Sequence, residues 1–326
     1  MAVSWLIPVR DGGQWLNAAV ESALAECGEV DEVVVVDDGS RDEPQGDCFR
    51  DPRVQLIRQS PLGIVEALER GRAVCRHPYI ARLDADDVAL PGRLVNQTRV
   101  LNENPDVAVV GGAACMIRDD GPVPEGMRRY VDWVNGLRDL HAQLLVESPL
   151  FHPAVLMRAS AVQEVGGYRA GNIPEDYDLW LRLVSAGHRI EAVAEEVVQL
   201  RDRSDRLTRT DARYSSSSFM RVKQEWLCVG PLKDKRRVGL WGAGKTGRRW
   251  LRWLLAEGHT VPAVIDVHHR TERQGVPVYG ASVLPELDVD LLLVAVGARG
   301  ARDIIRAEIE ELRPEWREGV DWWALA

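Results

Sequence analysis

The sequence predicts an α/β protein: a mostly parallel sheet covered by helices on both faces, followed by a smaller βαβ domain. Three observations predict it. Strand-like and helix-like stretches alternate through the first 110 residues. Clusters of aspartates stand just after two of those strands. Beyond a basic stretch, another short strand runs into a glycine loop and a helix. At 326 residues the chain is long for one domain and sufficient for two.

Val3–Val9 is an apolar run, closed by the turn Asp11-Gly12-Gly13 and followed by the amphipathic stretch Trp15–Leu24. Glu32–Val36 reads as a buried strand, since every apolar position is β-branched. Val54–Ile57 is a third strand, Leu62–Val74 a helix and Tyr79–Leu83 a fourth strand. Pro91 suits the first position of the next helix. Further on, Trp133–Val146 has a helical pattern, Ala192–Leu200 reads as a strand, and Tyr214–Val229 as a helix. The predicted boundaries are 1–205 for the first domain, 206–236 for a basic helical linker and 237–326 for the second domain.

Composition excludes several classes. A hydrophobic fraction of 45% and a charged fraction of 28% are those of a globular protein. The longest apolar run, Leu291–Val296, is strand-sized and far below the roughly 18–20 residues a membrane span needs. Five cysteines without paired spacing support neither a disulfide framework nor a zinc site. A cytoplasmic chain is expected, with peripheral contact at the inner membrane face left open. Residues 1–200 hold 19 Arg, no Lys and 32 Asp and Glu, a net of −13, which argues against a nucleic-acid partner. Residues 201–237 hold 11 basic and 5 acidic residues, a net of +6 that could approach an anionic lipid-linked acceptor.

Ligands of parallel sheets bind beyond the carboxyl ends of the strands. There the sequence places Asp37-Asp38-Gly39-Ser40 and Asp84-Ala85-Asp86-Asp87. Two carboxylates in Asp-x-Asp spacing point to one side and suit Mg²⁺ or Mn²⁺, which also bridges a diphosphate. One such cluster alone reads better as a strand-end turn, because Asp, Gly and Ser favour turns. Two clusters at neighbouring strand ends repel, and a cation or ligand relieves that.

Ser4–Arg10 (SWLIPVR), Val34–Ser40 (VVVDDGS) and Tyr79–Leu90 (YIARLDADDVAL) resemble the nucleotide-sugar-binding half of inverting family 2 glycosyltransferases of the GT-A fold. The resemblance continues through Phe151-His152-Pro153, Gly166-Gly167-Tyr168 and Pro174–Leu183 (PEDYDLWLRL), and covers roughly residues 3–202. It implies a nucleotide-sugar donor, a UDP-sugar by preference, and a carbohydrate or lipid-linked acceptor in bacterial cell-surface polysaccharide or glycoconjugate synthesis. Pro8, Val9 and Arg10 would line the base pocket and Asp38 would bond the base edge, with Asp37 in support. Asp84 would approach the ribose and metal, Asp86 would be the principal ligand of Mn²⁺ or Mg²⁺, and Asp87 would either join them or cap the next turn. His152 would lie on the acceptor and diphosphate side. Arg201 would approach the diphosphate, whereas Arg203 stands where relatives often carry His. Glu69 departs from an Asn common in relatives and stays outside the site. Asp176 would be the general base, Glu175 its fallback and Asp178 a surface residue. A helix N-terminus would keep the base ionised.

In the last part, Arg237–Trp241 leads into Gly242-Ala243-Gly244-Lys245-Thr246-Gly247 and a helix over Arg248–Glu257. A strand Val261–Asp266 ends in an acid 19 residues after Gly247, and Leu291–Val296 is a third strand. Gly242, Gly244, Gly247 and Asp266 have the spacing of a dinucleotide fingerprint in a Rossmann-like unit. The same glycines also suit a packing domain that binds nothing. Arg248, Arg249 and Arg252 read as a solvated face, with a membrane patch the less favoured reading. For the whole chain two further readings stay open: a non-catalytic nucleotide-binding scaffold and a sugar-nucleotide pyrophosphorylase. Release of pyrophosphate from a nucleoside triphosphate and sugar phosphate would separate the latter.

Overall fold

The computed structural model describes residues 2–234, 237–268 and 271–326. Lys235 and Arg236 of the expected linker lie outside the described residues. The chain divides into two compact units, one of residues 1–138 and 150–222, the other of residues 139–149 and 223–326. Segment 206–236 therefore contributes to both.

The first unit is built on eight strands: β1 (Val3–Val9), β2 (Glu32–Asp37), β3 (Val54–Arg58), β4 (Tyr79–Arg82), β5 (Val88–Ala89), β6 (Val107–Ile117), β7 (Leu156–Arg158) and β8 (Arg189–Arg201). Their order is β3-β2-β1-β4-β7-β6-β8-β5. β1 to β4 are mutually parallel, while β7 runs antiparallel to both β4 and β6. Every residue of β1 and β2 is buried, which explains their nearly unbroken apolar sequences. Val9 pairs Asp37 and Leu6 pairs Arg82, so the chain leaves all three strands at one edge of the sheet. Because β7 is antiparallel to β4, the residues that precede it return to that same edge.

Helices α1 (Leu16–Glu26), α2 (Ile64–Val74), α3 (Arg93–Glu103), α4 (Glu125–Asn135), α5 (Ala159–Glu164) and α6 (Glu175–Ser185) follow in chain order. The short α7 (Leu207–Thr210) precedes α8 (Ser216–Val229). α3 begins two residues later than expected. Gly92 at its N-cap has φ +83°, a conformation glycine adopts readily, so Pro91-Gly92 forms a turn. The exposed N–H groups at this start are capped from α1, where Glu26 accepts from Gly92 at 2.9 Å and Leu94 at 3.1 Å.

α4 corrects the expected helix over Trp133–Val146. The Asn135 amide donates to Ala114 O at 2.8 Å and accepts from Ala114 N at 3.0 Å. That pairing with β6, next to Gly136, ends the helix.

The second unit adds β9 (Val238–Trp241), α9 (Lys245–Ala256), β10 (Val264–Ile265), β11 (Glu272–Arg273), β12 (Val276–Tyr279), β13 (Leu291–Val294), α10 (Ala301–Leu312) and β14 (Trp322–Ala324). Their order is β11-β12-β10-β9-β13-β14, with every pairing parallel except β11 with β12. This sheet holds six strands where the sequence showed three. β12 and β14 are four and three residues long, too short for a periodic signal. No helix among the described residues is long and apolar enough to cross a membrane.

Candidate active site

The loop after β4 gathers three carboxylates. One oxygen from each of Asp84, Asp86 and Asp87 lies within 4.8 Å of the others. Like charges at this spacing, partly out of water, oppose one another. Burial and the neighbouring Asp84 raise the Asp86 carboxyl above its usual range. Asp87, 1% exposed, is raised further by burial and by both neighbours. Its Oδ1 accepts from Arg201 N at 2.7 Å, while its Oδ2 is buried with no hydrogen-bond partner among the described residues. Hard oxygens crowded in this way, one of them orphaned, fit a divalent cation.

Arginines surround the cluster. Arg82, the last residue of β4, is 3% exposed and pairs with Asp84. Burial opposes its charge, yet Asp84 holds its pKa above the usual value. Arg201 donates to Asp86 O at 3.1 Å and pairs with Asp119. Arg203 Nη1 is 3.4 Å from Asp86 Oδ2, and its guanidinium lies 4.2 Å from the Trp15 ring centroid. Arg206 is close enough for all three acids to raise its pKa against burial. The departure at position 203 thus preserves a cation beside the acids.

At the end of β2 the acids are already engaged. Asp37 accepts from Ser40 N at 2.9 Å and pairs with Arg58 at 3.1 Å. Asp38 accepts from Gln59 and Leu62 N on Oδ1 and from Gly63 N on Oδ2, each at 2.8 Å. It fixes the start of α2 beside the strand end. Pro8 and Val9 are buried, and Arg10 is exposed.

α6 opens on the second pair of acids. Glu175 is 2% exposed, and the Tyr214 hydroxyl lies 2.8 and 2.9 Å from its two oxygens. Arg213 stands 3.9 Å away. Burial raises the Glu175 carboxyl, opposed by its own backbone, Tyr214 and Arg213. Asp176 is half-buried, and its Oδ1 accepts from Tyr177 N at 2.7 Å. Burial, and then the adjacent Glu175, push Asp176 up to about 7. The expectation that the helix terminus keeps this carboxylate fully ionised is therefore corrected: desolvation and a like charge outweigh the dipole. Asp178 is corrected as well. It is 1% exposed, because Arg169 donates to it at 3.0 Å and Arg182 at 2.8 Å.

His152 lies in the segment that precedes β7. Its Nε2 is 2.8 Å from the Tyr168 hydroxyl, and its ring meets Trp180 edge-on. Burial, with Arg82 nearby, drives its pKa well below the usual value and keeps it neutral. The Arg82 charge also offsets a small part of the rise at Glu175 and Asp176. One buried cation therefore influences the β4 acids and the α6 acids together. Glu69 stays structural: it accepts from Tyr168 N at 2.7 Å and pairs with Arg72.

The structure thus brings Asp84, Asp86, Asp87 and Arg201 together. Sequence reasoning did not select Arg82, Arg206, Arg213, Tyr214 or Trp15. Arg82 had a detectable signal, being a charge that ends a buried strand two residues before Asp84. The others sit in stretches whose sequence resembles a solvated connector or an amphipathic helix.

In the second unit, Gly242 has φ +120°, and a side chain at Gly247 would strike the Gly242 carbonyl at 1.7 Å. Asp266 Oδ2 accepts from Ala243 N at 2.6 Å and Oδ1 from His268 N at 2.8 Å. The acid at the end of β10 thus pins the glycine loop.

A mostly parallel sheet covered by helices, with an acid cluster beyond its strand ends, has the form of an α/β enzyme. Comparison with known proteins identifies the family. The model "Glycosyl transferase family 2" matches residues 4–166, and the chain belongs to that family of enzymes. It is 30% identical over 195 residues to the amylovoran biosynthesis glycosyltransferase AmsE of Erwinia amylovora, covering 58% of this chain and 71% of that one. It is 24% identical over 205 residues to an Escherichia coli UDP-Gal:alpha-D-GlcNAc-diphosphoundecaprenol beta-1,3-galactosyltransferase, covering 61% and 73%. Among solved structures, S. aureus TarS 1–349 superimposes with a TM-score of 0.52, and its complex with UDP-GlcNAc with 0.54. Both are 14% identical, cover 70% of this chain and are themselves covered to 66% and 67%. At that identity the likeness concerns the fold.

Proposed function

We propose that the chain is a metal-dependent inverting glycosyltransferase of the GT-A fold. It would move a sugar from a UDP-sugar to a hydroxyl of a carbohydrate or lipid-linked acceptor in bacterial surface-polysaccharide synthesis. The names of the relatives support this setting. The observation that carries the reading is the division of labour between two acid groups. Asp84, Asp86 and Asp87 form a cluster that calls for a cation, while Asp176 is raised to about 7 and Glu175 is engaged by Tyr214.

Asp86, with Asp84 and Asp87, would hold Mn²⁺ or Mg²⁺. When bound, the ion supplies Lewis-acid stabilisation to the departing diphosphate. Arg201, Arg203 and Arg206 add positive charge on the same side. Pro8, Val9 and Arg10 would wall the nucleobase, and Asp38 would hold the 59–63 segment against it. Asp176 accepts the acceptor hydroxyl proton as that oxygen attacks the anomeric carbon. A single displacement inverts the configuration, so an α-linked donor yields a β-linked product. A base with a pKa near 7 is ionised in a large fraction of molecules at neutral pH and still accepts a proton readily. His152, neutral and bonded to Tyr168, packs against Trp180 of α6 and would stay uncharged through the reaction.

We read the second unit as a Rossmann-like packing domain. The parallel order β12-β10-β9-β13-β14 supports the fold, and the engagement of Asp266 by the glycine loop favours packing over a ribose contact. Titration with NAD that produced binding would reverse that second assignment.

A thermal-shift titration with UDP, with and without Mn²⁺, tests the donor site. A ligand at 100 times its Kd stabilises the native state by about 2.7 kcal/mol. A shift that requires both UDP and Mn²⁺ is expected. No shift with UDP, GDP or dTDP in the presence of Mn²⁺ would overturn the reading.

A further inference from the structure

The exposed face of α9 carries a feature that sugar transfer leaves unused. Lys245, Arg248, Arg249 and Arg252 recur at i, i+3, i+4 and i+7, and all four are exposed. At 100° per residue they fall on one stripe opposite the buried Trp250, Leu251 and Leu254. None has an ion-pair partner among the described residues. Some surface arginines elsewhere are paired, as Arg50 with Asp47, Arg99 with Glu103 and Arg129 with Glu125, but here the unpaired ones fall together on one face. Four unneutralised cations therefore line one helix of a chain whose net charge is −9.

Two apolar side chains flank the stripe, about 80° to either side. Leu255 is 38% exposed, and the half-buried Trp253 packs edge-on against Trp250. We propose that this face of α9 docks on an anionic phospholipid surface. Cations in a row with an indole and a leucine at their margins match a plane of phosphate headgroups above acyl chains. A soluble phosphate ligand at the glycine loop would engage only the first turn of α9. The stripe runs to Arg252, about 10 Å along the axis, at 1.5 Å per residue. The net negative charge of the whole chain makes general attraction to an anionic bilayer unfavourable, so binding would have to be local. This inference stands independently of the donor and acceptor assigned above.

The test is co-sedimentation of the full chain with vesicles of phosphatidylcholine alone, and of phosphatidylcholine with phosphatidylglycerol. The R248Q/R249Q/R252Q variant is compared with R50Q/R99Q/R129Q, which makes the same change in net charge. Circular dichroism melting establishes that both fold. Wild type and the control triple are expected to bind the phosphatidylglycerol vesicles, and high salt should release them. The α9 triple should lose about 100-fold in partition, since each cation near the surface contributes about fivefold. Absence of phosphatidylglycerol-dependent binding by wild type would overturn the proposal, as would equal loss in the two triples. Wild type that ignores vesicles but shows a thermal shift with NAD or ADP, abolished in the α9 triple, would assign the stripe to a soluble phosphate ligand instead.

Discussion

The Tyr214 hydroxyl lies 2.8 Å from one Glu175 oxygen and 2.9 Å from the other, which distinguishes two adjacent acids at the start of α6. Glu175 has a half-buried partner from the segment after β8. Asp176 is bonded through Oδ1 to the Tyr177 N–H and is the acid poised near neutrality. Tyr214→Phe should therefore disturb Glu175 and leave the base in place. Transfer in Tyr214→Phe and Glu175→Gln is expected to fall by about tenfold or less, well short of the 10²–10⁴-fold that loss of a general base costs. Steady-state kinetics on the two variants checks this, and a larger loss in Glu175→Gln than in Asp176→Asn would exchange their roles.

Catalysis should rise with pH through about 7, because Asp176 accepts a proton only when ionised. Burial and the negative Glu175 both hold its pKa up. Glu175→Gln removes the like charge, so the rising limb of kcat/KM should move to lower pH. An unchanged limb would mean that another group titrates.

Asp86 is raised by burial and by Asp84, so its ionisation costs the folded state stability when no cation is bound. A raised acid destabilises most at a pH above its folded value. Asp86→Asn should therefore melt higher than wild type in chelator, and by more at pH 8 than at pH 5. The same variant should lose the Mn²⁺-dependent part of UDP binding. Thermal melts at the two pH values, repeated with Mn²⁺ and UDP, measure both effects.

His152 works in the opposite direction. Its folded pKa is held well below 6.5 by burial and by Arg82, so below 6.5 the unfolded chain takes up a proton that the native chain refuses. Stability should fall as the pH drops below that point. His152→Gln should flatten this component of the slope. Urea unfolding across pH 5 to 7 checks it.

Much of the first unit was legible because its central strands β1, β2 and β4 are buried throughout. β1 and β2 stand out as nearly unbroken apolar runs, and the acids that follow β2 and β4 mark the ligand end of the sheet. β6 was hidden by Gly111-Gly112, a pair that reads as a turn. Side chains there would meet Leu150 at 2.5 Å and Val197 at 2.6 Å, so the glycines permit close packing inside a strand. The helix at α4 was misplaced because its stop depends on Asn135 bonding β6, a contact between residues 21 apart. Asp176 and Asp86 stood out as types in a pattern. Tyr214 and Arg206 did not, because a basic connector and a buried counter-charge are written in the same residues.

The direct test of the central claim is Asp176→Asn, assayed in parallel for Mn²⁺-dependent UDP binding by thermal shift and for sugar transfer from the donor that wild type accepts. The account predicts an undiminished thermal shift with transfer reduced by at least 10²-fold. Full turnover in Asp176→Asn would contradict it.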